Sequence, residues 1–261
     1  MQRGYDQLAH DVVIQSLPVR FVLDRAGLVG NDGPTHHGSF DLTHLGCMPN
    51  LVICAPSDEI ELMNLLTTIY GIDDKPSCIR YPRGNGYGVE KLNELYDEQF
   101  ESLPEMGFAV PVGKGRVVRR GRTGRVANKV AILALGTRLA VAAEAAIALE
   151  LEHPDVSVTV ADARFMKPPD VDLVRHLAND NDILITMEEN SVLGFGDYVL
   201  HFLALEGLLD NGGLKFRPMC LPDSFIETAT QMQQYEEAGL NTKHVIGTVN
   251  RLLDRALVPA I

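Results

Sequence analysis

Short apolar-rich runs alternate with longer segments whose apolar residues recur at helical spacing, and the same rhythm occurs twice along the chain. Leu17-Pro18-Val19-Arg20-Phe21-Val22-Leu23, Leu51-Val52-Ile53-Cys54-Ala55-Pro56 and Ser77-Cys78-Ile79-Arg80-Tyr81-Pro82 read as strands, each running into a turn. Between the last two, Ser57-Asp58-Glu59 predicts a helix start with Ser57 as N-cap, followed by Leu62, Met63, Leu65, Leu66 and Ile69 at helical spacing. A helix over Tyr5 to Gln15 precedes the first strand.

The second series begins with Val130 to Leu135 as a strand, then Gly136-Thr137 and an Ala-rich helix to about Glu150. Val156 to Val160 and Asp182 to Met187 predict further strands, Gly196 to Glu206 a helix, and Lys215 to Met219 a short strand at an edge, where Pro218 is tolerated. Strands alternating with helices predict an α/β fold with parallel, doubly wound sheets. Between the two series, Lys114 to Lys129 holds seven Lys or Arg and no acid. Residues 1–113 carry 7 basic and 16 acidic side chains, and residues 130–261 carry 9 and 19, so the basic run separates two acidic blocks. It reads as a linker or exposed hairpin (114–129) between one domain at 1–113 and another at 130–261.

Charge and composition narrow the functional classes. A net charge of −12 on 261 residues argues against a general nucleic-acid binder, because neutralising phosphates takes a basic face. No apolar run reaches the roughly 18 residues that span a bilayer, and the start of the chain reads neither as a signal peptide nor as a transit peptide. Cys47, Cys54, Cys78 and Cys220 lack zinc-type spacing and are expected to be free thiols, mostly buried.

Ligands in open parallel sheets bind beyond the carboxyl ends of strands. Two segments occupy that position: Asp24 to Gly38 after the first strand, and Arg80 to Asn85 after the third. Their glycines admit a ligand close to the backbone, Arg25 and Arg83 can clamp a phosphate or carboxylate, and His36 with Asp32 can move protons. Taken singly, the same residues fit plainer roles. Arg25 could pair with Asp24 or Asp41, Arg83 could be a solvated turn residue, and His36 a loop histidine.

The order YDQ, DRAGLVG, DGPTHHG, FDLTHL, APSDE and RYPRGN resembles the pyrimidine-binding domain of the 1-deoxy-D-xylulose-5-phosphate synthase family, in the transketolase superfamily. ENSVLGFG and LPDSFIE resemble that family's carboxy-terminal domain. The resemblance implies a truncated thiamine diphosphate-type pyrimidine-binding domain followed by a transketolase-type carboxy-terminal α/β domain. It implies pyruvate and glyceraldehyde 3-phosphate as substrates, condensed with loss of CO2, with thiamine diphosphate and Mg2+ as cofactors and a homodimer at full length.

By motif, Arg25 and Arg83 resemble a triose-phosphate clamp, Asp32 and His36 resemble catalytic groups that proton-balance carbonyl intermediates, and Arg3 resembles a further substrate-binding arginine. His37 matches a variable position and His10 lies along a helix, so both are expected to be structural. The family's GDG motif, its downstream Asn and its activating Glu have no counterpart here, and Gly196-Asp197-Tyr198 is no substitute. The expectation is therefore that no cofactor-binding or metal-ligating residue lies within this chain, that Met1 falls inside a helix of a domain begun upstream, and that the isolated chain is inactive. The alternatives are a beta-type subunit of a split enzyme and a non-catalytic dimerisation module. ENSVLGFG and RGNGYGV resemble plastid members, which favours a plastid over a bacterial cytoplasm.

Overall fold

The computed structural model describes residues 2–124 and 126–254. Two sheets make up the fold. In the first, β1 (Arg20–Ala26), β3 (Ser77–Pro82) and β2 (Val52–Cys54) run parallel in that spatial order. The second has the order β4-β6-β5-β8-β9, with β5 (Asn128–Ala134), β6 (Val156–Asp162), β8 (Ile183–Met187) and β9 (Lys215–Met219) parallel. The α/β class and the parallel core of both sheets are as the sequence pattern predicts.

Each sheet also takes one antiparallel edge strand that the pattern did not reveal. β4 (Arg116–Arg119) lies inside the basic run and pairs with β6. Four residues of the expected linker or hairpin are an edge strand here, and its arginines find acids: Arg116 contacts exposed Glu98 at 2.7 Å and buried Glu61 at 3.4 Å, and Arg119 contacts buried Glu150 at 3.2 Å. β7 (Phe165–Lys167) follows β6 in the chain yet pairs with β2 of the first sheet, so the second half of the chain completes the first half's sheet. Three residues were too short a run to register as a strand.

The helices are α1 (Tyr5–Gln7), α2 (Asp41–Gly46), α3 (Glu59–Tyr70), α4 (Val89–Leu95), α5 (Arg138–Glu152), α6 (Val171–Asp180), α7 (Phe195–Leu205), α8 (Gln231–Glu237) and α9 (Thr242–Leu252). After α1 the helical ladder slips to wider turns, with Ile14 N–H donating to Ala9 O at 3.0 Å, so the expected single helix from Tyr5 is divided. The N-cap of α3 is Asp58, not Ser57. The Asp58 carboxylate accepts the Glu61 N–H at 2.9 Å, while the Ser57 hydroxyl is engaged by buried carboxylates. Along α5, Ala142, Ala143, Ala145 and Ala146 are fully buried, their small side chains allowing the helix to lie close on β5 and β6.

A core on one face of the second sheet joins α5 and α9 to β5, β6 and β8. A second core runs from Ala131, Leu133 and Leu184 through Phe195 to Ile53 and Cys78 of the first sheet, so the two sheets share apolar contacts. Cys54 and Cys78 are buried free thiols, Cys220 is half-buried and Cys47 exposed; burial pushes the Cys78 thiol up to about 12. Among the described residues no helix is long and apolar enough to cross a membrane.

Candidate active site

The carboxyl ends of the two sheets face one another. β1 ends at Ala26 opposite Pro82 of β3, and β5 and β8 end together at Ala134 and Met187. The loops leaving these strands close around a narrow crevice lined by Ala26, Ala55, Arg80, Gly136, Thr137 and Glu189. This is where open α/β sheets bind ligands.

On the outer side of this junction stand the two predicted arginines. Arg25 takes a left-handed conformation (φ 57°), and Arg83 follows β3 directly. Arg25 Nε and Arg83 Nη1 each lie 3.4 Å from the same oxygen, Oδ2 of Asp32. The two nitrogens are therefore no more than 6.8 Å apart, within reach of a phosphate accepting a bond of about 2.8 Å from each. Both arginine side chains are nearly half exposed, at 46% and 47%. Arg25 also contacts Asp24 at 3.0 Å, and Arg83 Nη1 donates to Val29 O at 2.6 Å.

The other predicted residues join this group to different degrees. His36 is exposed on the same loop, with Nδ1 2.8 Å from the Thr35 hydroxyl, and no hydrogen bond among the described residues links it to Asp32. Arg3 is exposed in the first helical turn, and among the described residues no polar contact ties it to the Arg25–Asp32–Arg83 group. His37 is structural: its Nδ1 accepts the Val29 N–H at 3.2 Å, so Nε2 carries the proton donated to Ile226 O at 3.1 Å. Burial lowers its pKa, keeping that neutral tautomer. His10 is exposed beside Asp6, as expected of a residue outside the site.

Several groups that matter here escaped sequence reading. Glu189, just beyond β8, is 6% exposed; its Oε1 accepts bonds from Thr137 Oγ1 at 2.5 Å and Arg138 Nε at 2.9 Å, and its Oε2 accepts the Tyr235 hydroxyl at 2.7 Å. The Arg138 guanidinium stacks 3.7 Å from the centre of the Tyr235 ring. A Cβ on Gly27 would stand 2.0 Å from Glu189 Oε2, so only glycine lets the β1 loop approach this carboxylate. Arg80, also buried, donates to Gly38 O at 2.6 Å and Glu189 O at 3.2 Å, tying the two halves of the chain together. The paired acids Glu188-Glu189 at the end of a wholly buried strand were the available signal.

Among the described residues no group of three His, Cys, Asp or Glu side chains could hold a metal ion.

Comparison with known proteins bears on the family and the fold. Residues 1–88 match the transketolase pyrimidine-binding domain and residues 117–245 the transketolase C-terminal domain. A curated relative from Oryza sativa subsp. japonica, a probable 1-deoxy-D-xylulose-5-phosphate synthase 2, chloroplastic, is 50% identical over 98% of this chain. The chain spans about a third (33%) of that relative's length. A solved structure of a split gene transketolase, described as an inactive beta4 tetramer, superposes with a TM-score of 0.76 at 24% identity, covering 97% of this chain and 72% of the other, a likeness of fold.

Proposed function

Because the chain belongs to the transketolase superfamily, matching its pyrimidine-binding and C-terminal domains in turn, we propose that it supplies the triose-phosphate-binding wall of a 1-deoxy-D-xylulose-5-phosphate synthase. The reaction joins pyruvate to glyceraldehyde 3-phosphate with loss of CO2, in a plastid, as the name of the rice relative suggests. Thiamine diphosphate, with Mg2+, supplies the carbanion chemistry when bound. The observation that carries the reading is the sharing of Asp32 by Arg25 and Arg83 at the ends of adjacent strands.

Arg25 and Arg83 bind the phosphate of the triose, each offering a planar fork that Lys lacks. Asp32 holds the two guanidinium groups converged, and His36 exchanges protons with the carbonyl and hydroxyl groups of the bound substrate. Arg3 adds a cation on the side of the first helical turn.

The test is steady-state kinetics on an assembly in which this chain is joined, in cis or in trans, by a diphosphate-binding domain, with each substrate varied separately. Each charge-assisted bond is worth roughly 1.5–3 kcal/mol, so Arg83→Ala raises KM for glyceraldehyde 3-phosphate by about one to two orders of magnitude. Pyruvate, lacking a phosphate, keeps its KM. Equal weakening of both substrates would return Arg83 to a structural role.

A further inference from the structure

The loop from Gly27 to Gly38 has little sheet to pair with. Its ends pair at Gly27 and Gly38, whose N–H and C=O groups are exchanged at 2.9 and 3.0 Å, and inside it Gly33 N–H donates to Gly30 O and His36 N–H to Gly33 O, each at 3.0 Å. Backbone polar groups buried between those points need other partners. The carboxy-terminal domain provides them through one face of α8.

Gln234 is fully buried and pairs with Gly30 as a backbone strand would: its Oε1 accepts the Gly30 N–H at 2.7 Å and its Nε2 donates to Gly30 O at 3.0 Å. Gly30 opens the short turn Gly30–Asp32, so this two-point contact fixes the orientation of the turn that carries Asp32. One turn of α8 earlier, Gln231 Nε2 lies 2.7 Å from Leu28 O and 3.2 Å from Arg83 O. One amide group thus reaches the loop after β1 and the loop after β3, and the Arg83 Nη1 bond to Val29 O at 2.6 Å closes the circuit.

We infer that Gln231 and Gln234 are positioning residues of the carboxy-terminal domain that set the spacing of Arg25 and Arg83, making anion affinity at the pyrimidine-domain site depend on the docking of α8. The inference rests on the reading of Arg25 and Arg83 as a phosphate clamp. Neither glutamine would touch the ligand. Gln231 holds the Arg83 carbonyl itself and Gln234 holds Gly30, two residues before Asp32, so loss of either amide frees the loop without removing a charge.

Gln231→Met and Gln234→Met keep side-chain length and remove the donor and acceptor. Two measurements on the 261-residue chain test them: amide hydrogen exchange across Leu28 to Asp32, and the affinity for inorganic phosphate followed by NMR of arginine Nε–H signals. Both variants should lose protection in the loop by about tenfold or more, while Cys78 and Ile79 in β3, flanked by strands on both sides, stay protected. Phosphate affinity should fall roughly tenfold, the cost of one to two net hydrogen bonds. Met232→Gln, on the exposed side of the same helix, should change neither.

If buried Gln234→Met fails to fold, the half-buried Gln231→Met decides alone. Unchanged loop protection, or a loosened loop that binds phosphate with undiminished, Arg83-dependent affinity, overturns the inference. If the parent chain takes up no phosphate, or Arg83→Ala leaves phosphate binding intact, the clamp reading fails instead, and loop exchange still decides whether the glutamines hold the turn.

Discussion

Replacing Asp162 by Asn should make the protein less sensitive to pH and more stable in mild alkali, although it removes a fully buried charge. Ser57 Oγ lies 2.8 Å from Asp162 Oδ2 and 3.0 Å from Asp58 Oδ2. One hydroxyl has one proton, so with both carboxylates ionised only one of these contacts is a hydrogen bond and the other is repulsive. Around them stand Glu61, paired with Arg164 Nε at 2.7 Å, and Arg116, 3.4 Å from Glu61 and 3.8 Å from Asp58. Three carboxyl groups face two guanidinium groups. Burial, and then the charge of Glu61, push the Asp162 carboxyl up to about 7, while Arg116 and Arg164 pull the other way; burial raises Asp58 as well.

The folded protein therefore binds a proton that the unfolded chain releases near pH 4. The contribution is fully present below that pH and is lost as the pH rises through about 7, at no more than about 1.4 kcal/mol per pH unit. Across the window the loss is on the order of 2–4 kcal/mol. In the Asn variant, Oδ1 keeps the Arg164 N–H bond now made at 2.9 Å, and the amide donates to Ser57, whose own proton goes to Asp58. Urea unfolding at pH 5 and pH 8 checks this: Asp162→Asn should match the parent at pH 5 and exceed it by about 2 kcal/mol or more at pH 8. Glu188, raised to about 7 chiefly by burial, should keep a residual slope in the variant. A variant with the parent's full slope, or weaker at pH 8, would refute the shared-proton account.

Gly27→Ala should cost on the order of 2–4 kcal/mol and lower the melting temperature, since it drives a Cβ into Glu189 at a φ of +73°. Glu189→Leu leaves Arg138 buried without its carboxylate and should cost about 3–5 kcal/mol in denaturant unfolding; adding Arg138→Met should recover a large part of that loss, and no recovery would mean the pair is not the reason. Limited trypsin digestion followed by mass spectrometry should spare Arg116 and Arg119, held in β4 and by Glu61, Glu98 and Glu150, despite the basic composition of the run. Early cleavage at either would put that strand in an open equilibrium.

The elements that sequence reading recovered are those decided by local pattern. β3 and β9 fall at the predicted residues, Ser77–Pro82 and Lys215–Met219, where short segments rich in strand-forming side chains are placed by their local pattern. Errors arose where a distant partner decides. Ser57 is an ordinary N-cap by sequence, but Asp162, 105 residues away, claims its hydroxyl and leaves the cap to Asp58. The start of the run Lys114 to Lys129 looks solvated until Glu61 and Glu150 are brought beside it; acids that seemed to belong to other segments meet Arg116 and Arg119 in β4.

The same distinction separates the legible half of the candidate site from the hidden half. Arg25, Asp32 and Arg83 were visible because strand ends rich in Gly and Arg announce a ligand-facing loop, and 58 positions of separation vanish once β1 and β3 lie side by side. The inferred support for those loops lies 204 residues from Gly30, in a helix where Gln231 and Gln234 carry no charge. A glutamine becomes informative only when its amide is seen against a buried peptide, as Gln234 is against Gly30. Arg80 and Glu189 act likewise: each is an ordinary charged residue in the sequence, and burial at the junction makes the first bind the backbone of both halves and the second bind Thr137, Arg138 and Tyr235. The arginines that would meet the substrate thus belong to the first half of the chain, while the stiffness that would keep them in register comes from the second.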